Sequence, residues 1–414
     1  MSLAQPMRIL VISRCPPYPL YLGDRLILYH LARELSQMGV TLDLIAMADR
    51  AEDWTPTEQQ VYTPYFDEVM LFAPVVRPSL ELMRRALLAS ARFPKQAEQA
   101  FMGEMWRAIE EQVTRHHYDS VHLFGGIQVY EFKHALGDLP TLITPYESYA
   151  LFTQRALQHQ RGLARLMAFG VHQLAKHFER WMFNPYDAVT VLSEPDRDML
   201  LRLQPRLKVS VIPNGIDLAH YVPVAVEREP ATLLFVGNYE YRPNVEAALW
   251  LTEAIFPRIQ RHQPNAKLWL VGNAPPPELL ACATESVTVT GRVTDVRDYY
   301  QRATVFICPL RVGAGIKNKV LEAMASQLPV VATTLSADGI DAQHGKTLFM
   351  ADSAEEIAQY TLDLLRDEGL RQRFADSARA LIVERYSWRS VAEQYLERMR
   401  SITRQASPPD DEIN

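Results

Sequence analysis

The segment Arg311-Val-Gly-Ala-Gly-Ile-Lys-Asn-Lys-Val-Leu-Glu322, followed by Leu328-Pro329-Val330-Val331, places cations where a helix disfavours them. Lys317 and Lys319 open an expected helix. A helix N-terminus already carries roughly half a positive charge, so each cation there costs about 0.3–1 kcal/mol unless an anion is present. Just upstream, Gly313 and Gly315 let the backbone turn its N–H groups outward, the geometry that holds a phosphate at a helix start. A diphosphate held by the backbone of Gly313, Ala314, Gly315 and Ile316, with Arg311, Lys317 and Lys319 as cations, removes the conflict. Glu322 lies one to two turns further on, a reach suited to sugar or ribose hydroxyls. The competing reading is a solvated helix start with a Lys319–Glu322 surface pair.

Such a site needs a rigid frame, and the apolar period supplies one. An apolar run, Ile9–Ile12, leads through a Pro/Gly loop into helical spacing over Arg25–Gly39 and then a second run, Leu42–Met47. Strand, loop, helix, strand is the first crossover of a parallel sheet with helices on both faces. The architecture restarts at Thr232–Gly237, with a helix from about Val245 to Arg261 and a strand at Lys267–Gly272. Further strands fit Val287–Thr290, Thr304–Cys308 and Val330–Thr333. Two doubly wound α/β domains follow, with ligand chemistry at the strand C-terminal ends. Lys208–Pro213 reads as the last strand of the first half and Asn214-Gly215 as a turn. The expected division is residues 1–215 plus a final helix 386–402, a linker 216–230, a second domain 231–385, and a disordered polar tail 403–414.

A chain of 414 residues with 48% hydrophobic content can fill two cores. A net charge of −6 argues against a nucleic-acid partner. Three widely spaced cysteines, an odd number, fit a reducing compartment rather than a disulfide framework. The N-terminal apolar run is too short for a signal peptide, and no window reaches the ~18 apolar residues of a membrane span, so a cytoplasmic, soluble or peripheral protein is expected. Residues 80–117 and 150–184 read as long helices carrying Arg84, Arg85, Arg92 and Lys95, and Arg155, Arg161, Arg165, Lys176 and Arg180. With Leu163, Leu166, Met167, Phe169 and Leu174 interleaved, the second stretch suits an anionic membrane surface, or an ordinary half-buried helix with a solvated face. No Gly-x-Gly-x-x-Gly follows the first strand, which argues against a nicotinamide enzyme.

Six motifs then stand in one order: Leu22-Gly23-Asp24-Arg25; Tyr186-Asp-Ala-Val-Thr-Val-Leu-Ser193-Glu194; Val211-Ile-Pro-Asn214-Gly215-Ile-Asp217; Phe235-Val-Gly237; Val289-Thr-Gly291-Arg292-Val293; and Gly313–Thr333. In this register the chain resembles the retaining glycosyltransferases of family 4 (group 1), of GT-B fold, with two Rossmann-like domains facing across a cleft. Its Gly-x-Gly-Ile-Lys-x-Lys and Pro243-Asn244 are similar to the branch of bacterial exopolysaccharide and cell-surface sugar transferases. The resemblance implies transfer of a sugar from a UDP- or GDP-sugar to a glycan, lipid-linked or small-molecule acceptor, with no metal and no further cofactor. It assigns Gly23, Gly237, Asn238, Gly291, Arg292, Val293 and the Arg311–Glu322 segment to the donor, with Glu322 on the ribose. Asp24 becomes an acceptor-side contact or simply a helix cap. Thr144-Pro-Tyr146-Glu147-Ser148 occupies the place of the family's acceptor-side acid or histidine, so Glu147 is a candidate for hydroxyl recognition or proton handling, with Tyr146 and His122 beside it.

The departures bear on mechanism. Ala314 stands where the family has a second Glu contacting the transferred sugar, and Asn238 and Pro243 stand where it commonly has an Arg/Lys clamp on the diphosphate. Charge on the departing diphosphate must then be met by backbone N–H groups, the helix dipole and cations, of which Lys317 ranks first and Arg242 second. Asp196-Arg197-Asp198 has the form of a metal-binding Asp-x-Asp, but at a helix start it reads as dipole compensation. The alternative function is a non-catalytic nucleotide-sugar-binding subunit of a polysaccharide assembly complex.

Overall fold

The computed structural model describes residues 7–20, 23–157, 160, 162–223, 227–313 and 316–406. Two compact units emerge, Met1–Pro213 with Val391–Asn414, and Asn214–Ser390. In the first, seven strands, β1 (Arg8–Ser13), β2 (Thr41–Met47), β3 (Glu68–Phe72), β4 (Ser120–Phe124), β5 (Thr141–Tyr146), β6 (Ala188–Val191) and β7 (Val209–Val211), lie in the order β3-β2-β1-β4-β5-β6-β7. In the second, β8 (Thr232–Val236), β9 (Lys267–Val271), β10 (Val287–Val289), β11 (Val305–Cys308), β12 (Val330–Ala332) and β13 (Phe349–Met350) lie in the order β10-β9-β8-β11-β12-β13. All pairings are parallel. Each domain is therefore a Rossmann-like doubly wound sheet whose strand order reverses at β1/β4 and at β8/β11, the points where such sheets bind ligands.

The central strands are apolar without alternation because helices cover both faces. Ile9, Leu10, Val11 and Ile12 in β1, and Leu233, Leu234 and Phe235 in β8, are all buried. The one carboxylate in β2, Asp43, is satisfied by Arg8 at 2.7 Å, the Tyr118 hydroxyl at 2.7 Å and the Glu68 amide at 3.0 Å, so it ties three strands together. A buried charge is tolerated on such terms.

Several expected elements are divided or extended. Residues 80–117 form two helices, Ser79–Leu87 and Gly103–Arg115, separated by short 3-10 turns around Pro94, where no helical N–H is available. Arg85 is not on a solvated face: its guanidinium is buried and paired with buried Glu131 at 3.0 Å. The second stretch forms helices Tyr149–Leu157 and Gly162–Met182, the latter opening on Gly162 with φ +58°. Within the stretch expected to link the domains, Ile216 bridges Ser387, and Arg228 donates to the Tyr300, Gln301, Ala303, Ser326 and Gln327 carbonyls of the second unit. The last helix spans Trp388–Ala406, so residues 403–406 of the expected tail are helical, and Thr403 donates to the Met399 and Asp119 carbonyls. No helix among the described residues is long and apolar enough to cross a membrane.

Close packing at the ends of β8 and β9 depends on glycine. A Cβ on Gly272 (φ +151°) would stand 1.7 Å from the Gly237 carbonyl oxygen. Gly272→Ala is expected to destabilise the second domain by about 2–4 kcal/mol through overlap and strain, a fall in Tm of roughly 5–15 °C by calorimetry. An unchanged Tm would show that this approach is not needed.

Candidate active site

A cavity of about 480 Å³ opens at the C-terminal ends of β8, β9 and β11. Its walls include Gly237, Asn238, Tyr241 and Asn244 after β8, Gly272 and Asn273 after β9, and Leu310, Val312 and Gly313 after β11. Ile316, Lys317, Asn318, Lys319 and Glu322 come from the start of helix Asn318–Ala325, and Arg292, Val293 and Val296 from the loop after β10. Lys317 is the N-cap residue, non-helical at φ −90°, ψ 90°, with its carbonyl accepting from the Val320 amide at 2.8 Å. Gly313 holds φ +145°, a conformation that favours glycine, and its backbone lies against Lys317, whose Cε would be in ordinary contact at 3.6 Å with a Cβ built there. A cation beside amides at a helix N-terminus is equipped to hold an anion.

Two of the other three charged residues of the lining, Lys319 and Glu322, belong to a polar frame. Lys319 Nζ donates to Asn244 Oδ1 at 2.7 Å and lies 4.7 Å from the centre of the Phe235 ring; burial lowers its pKa. Asn244 Nδ2 in turn donates to the Asn238 carbonyl at 2.7 Å. The Tyr300 hydroxyl donates to Glu322 Oε2 at 2.8 Å, and Tyr221 donates to the same carboxylate. Burial raises the Glu322 pKa, against the pull of the two phenols and Lys319. The Lys319–Glu322 surface pair is therefore not what forms. Asn244 stood in the sequence only as half of a Pro-Asn pair, and Tyr221 and Tyr300 were not singled out: Tyr221 sits in a stretch without period, and Tyr300 is 22 residues from the carboxylate it holds.

Two candidate cations lie elsewhere. Arg242 is exposed and paired with Glu278 at 2.9 Å and Glu246 at 3.5 Å, and it does not line the cavity. Arg311 is exposed and stacks over Trp250 at 4.6 Å, outside the lining. Gly291 (φ +69°) shapes the turn that presents Arg292 and Val293. Ala314 and Gly315 lie outside the described residues.

In the first domain a second cavity, of about 570 Å³, opens past the ends of β1, β4 and β5. Arg14, Gln128, Glu147 and Glu179 supply its charged and polar groups, and Leu82, Phe152, Leu174, Phe178, Met182 and Phe183 supply apolar walls. Arg14, directly after β1, was overlooked in the sequence although strand ends are where such residues matter. It donates to Asp24 at 3.0 Å and lies 5.0 Å from the Tyr146 ring centre. Asp24 thus anchors Arg14 and also accepts from the Arg25 amide at 3.0 Å. Gly23 begins helix Gly23–Gln37 with open space where a Cβ would stand.

Tyr146 holds φ +70° at the end of β5, an unusual conformation for an aromatic residue, and Glu147 follows it into the cavity lining. Glu147 is exposed at the mouth of the cavity, yet desolvation by the surrounding residues, then repulsion from Asp196, raises its carboxyl above the ordinary range. Glu179 accepts from the Ser148 hydroxyl at 2.7 Å and the Tyr149 and Ala150 amides, capping helix Tyr149–Leu157, yet burial pushes it up to about 7. His122 is a core residue, pushed down to about 3 by burial, with Nε2 2.8 Å from Thr144 Oγ1 and its ring beside Phe124 and Tyr395; it does not line the cavity. Asp196 accepts from the Ser148 amide at 2.8 Å, whereas Asp198 is exposed beside Arg197.

Comparison with known proteins agrees with this frame. Residues 26–220 match the family model "Glycosyltransferase Family 4", and residues 230–367 match "Glycosyl transferases group 1". Curated relatives include an uncharacterized 44.6 kDa protein in the cps region of Klebsiella pneumoniae, 26% identical over 43% of this chain and 50% of its own length. Another is the alpha-maltose-1-phosphate synthase of Mycolicibacterium smegmatis, 26% identical over 61% of this chain and 73% of its own. The match thus spans half of the first relative and about three quarters of the second. Among solved structures, Anabaena HepE in complex with UDP and glucose superposes over 95% of this chain and 100% of its own at TM-score 0.61 and 15% identity, a likeness of fold. With glycosyltransferase models on both halves and two wound parallel sheets beneath them, the chain is a glycosyltransferase of the GT-B type.

Proposed function

We propose that the protein moves a sugar from a nucleoside-diphosphate donor, a UDP- or GDP-sugar, to a hydroxyl of a glycan, lipid-linked or small-molecule acceptor in polysaccharide or glycoconjugate synthesis, with retention of configuration. The observation that carries this reading is Lys317 beside Gly313 at a helix start in the second-domain cavity. The Anabaena structure, which holds UDP and glucose, supports the choice of donor class. As the bond from the sugar to the diphosphate breaks, negative charge grows on the departing oxygen, and Lys317, the loop amides and the helix dipole stabilise it. The acceptor hydroxyl attacks the same face, and its proton passes to the departing phosphate. The reading calls for no metal and no cofactor beyond the donor, and assigns Glu322 to the ribose hydroxyls.

Lys317→Ala is expected to lower kcat/KM by roughly 10²–10³, the range for loss of one preorganised charge-stabilising donor, with Lys317→Arg recovering part. Arg242→Ala and Arg311→Ala, which remove residues outside the lining, should change it by less than about threefold, well under 1 kcal/mol. Equal losses in all three variants would sink the assignment. A wild-type protein that binds nucleoside diphosphate but neither hydrolyses nor transfers any donor would leave the binding-subunit alternative.

Glu147 is assigned to the acceptor hydroxyl, which its ionised form accepts from. Because its folded pKa is raised, ionisation is complete only above the ordinary carboxylate range, so acceptor kcat/KM should rise with pH through that elevated region and plateau above it. Glu147→Gln should flatten this limb in a pH–rate profile; a limb of unchanged position in the variant would exclude Glu147 as its source.

The reading also places the protein at the cytoplasmic face of an anionic membrane. Most exposed large hydrophobics among the described residues fall in two stretches, Val75–Leu88 and Tyr149–Leu174, with Leu166 67% and Met167 68% exposed. Helix Gly162–Met182 carries Arg165, Lys176 and Arg180 and a single acid, the buried Glu179. A double substitution of Arg165 and Lys176 by Gln should reduce partition onto phosphatidylglycerol vesicles in sedimentation by roughly ten- to thirtyfold, at about 1 kcal/mol per cation. An unchanged bound fraction would overturn the membrane contact.

A further inference from the structure

We infer that the first-domain cavity takes an amphipathic acceptor, one whose reacting hydroxyl adjoins a hydrocarbon or aromatic group. This rests on the sugar-transfer reading and names the class of its second substrate. The cavity lies at the C-terminal ends of β1, β4 and β5, the reversal point of the first sheet, where a doubly wound domain receives its ligand. Arg14 and Glu147 stand at the strand ends, and Phe152, Leu174, Phe178 and Met182 come from the two helices beyond, where the lining's other acid, Glu179, is buried and taken up by Ser148 and the Tyr149 and Ala150 amides.

Phe152 and Leu174 remain 45% and 46% exposed although they line a concave site. A hydrated glycan laid against them would lose hydrogen bonds to water and gain few partners, whereas an alkyl, prenyl or aromatic group would remove apolar surface from water on both sides. Glu147 and Arg14 meanwhile offer an acceptor and donors for the sugar or hydroxyl end. The tyrosine at φ +70° immediately before Glu147 turns the chain at the end of β5, where Glu147 joins the lining. The cavity therefore matches a head-and-tail molecule in polarity.

The test titrates the full chain with methyl β-D-glucoside and decyl β-D-glucoside by calorimetry, the decyl compound once free below its micelle concentration and once carried in phosphatidylcholine vesicles. Decyl glucoside should bind at least tenfold more tightly than methyl glucoside in one of the two arms, the arm identifying a soluble or a membrane-borne amphiphile. Phe152→Asp and Leu174→Asp, changes at half-exposed positions, should each remove at least fivefold of that gain. UDP and GDP titrations should be unchanged in both variants, which checks their folding. Equal binding of the two glucosides in both arms, or a decyl preference that survives both substitutions, overturns the inference. If neither nucleoside diphosphate binds the wild type, the donor reading fails on its own, whatever the glucosides do.

Discussion

The second domain is organised by one buried contact, the Lys319 ammonium on Asn244 Oδ1 at 2.7 Å above the face of Phe235. An enclosed ammonium is expensive unless it is hydrogen-bonded and faces compensating charge. Here the amide oxygen, the ring and the nearby Glu322 carboxylate provide that compensation, and the lowered pKa records the remaining cost. In return the contact joins helix Asn318–Ala325, which follows β11, to the first turn of helix Arg242–Trp250, which follows β8. Those two strands are neighbours at the reversal of the sheet, so the tie sets the distance between the two loops that form the cavity. Asn244 completes it by donating to the Asn238 carbonyl.

Both domains apply one plan with different furnishings. Each cavity stands at a strand-order reversal, and each contains a carboxylate that burial has lifted, Glu322 in the second domain and Glu179 in the first. In the second domain the Tyr300 and Tyr221 phenols hold the carboxylate. In the first, Glu179 caps a helix start, so its role is to fix helix Tyr149–Leu157 and hence the cavity wall. Glu147, three residues before Ala150, is thereby carried on a segment whose backbone amides are already committed.

The wound sheets were legible because parallel strands buried on both faces leave continuous apolar runs, as in Ile9–Ile12 and Thr232–Gly237. Lys317, Gly313 and Glu322 were legible because a cation at a helix start after glycines conflicts with the dipole, and such conflicts are local. What the sequence hid was tertiary. Nothing near Arg85 foretells that Glu131 will bury it, and Tyr221 reads as linker until Glu322 is placed beside it. Arg242 and Arg311 lie outside the lining for a related reason: a long cationic side chain takes Glu278, Glu246 or Trp250 by direction, and direction is not in the sequence.

The shift of positive charge from the β8 loop to the helix after β11 has a structural logic. Asn238 turns back on Glu240, accepting from its amide at 3.2 Å, and Pro243 sits in the first turn of helix Arg242–Trp250, where its missing N–H costs nothing. The β8 loop is thus closed by its own turn and by Asn244, and the side chains it brings to the cavity, Asn238 and Tyr241, are uncharged. A cation at the N-cap of helix Asn318–Ala325 acts in line with the helix dipole and with amides already pointing the same way. Enclosure beside Gly313 reduces screening by water, so a single lysine there exerts more field on a departing oxygen than an exposed arginine shared between two glutamates.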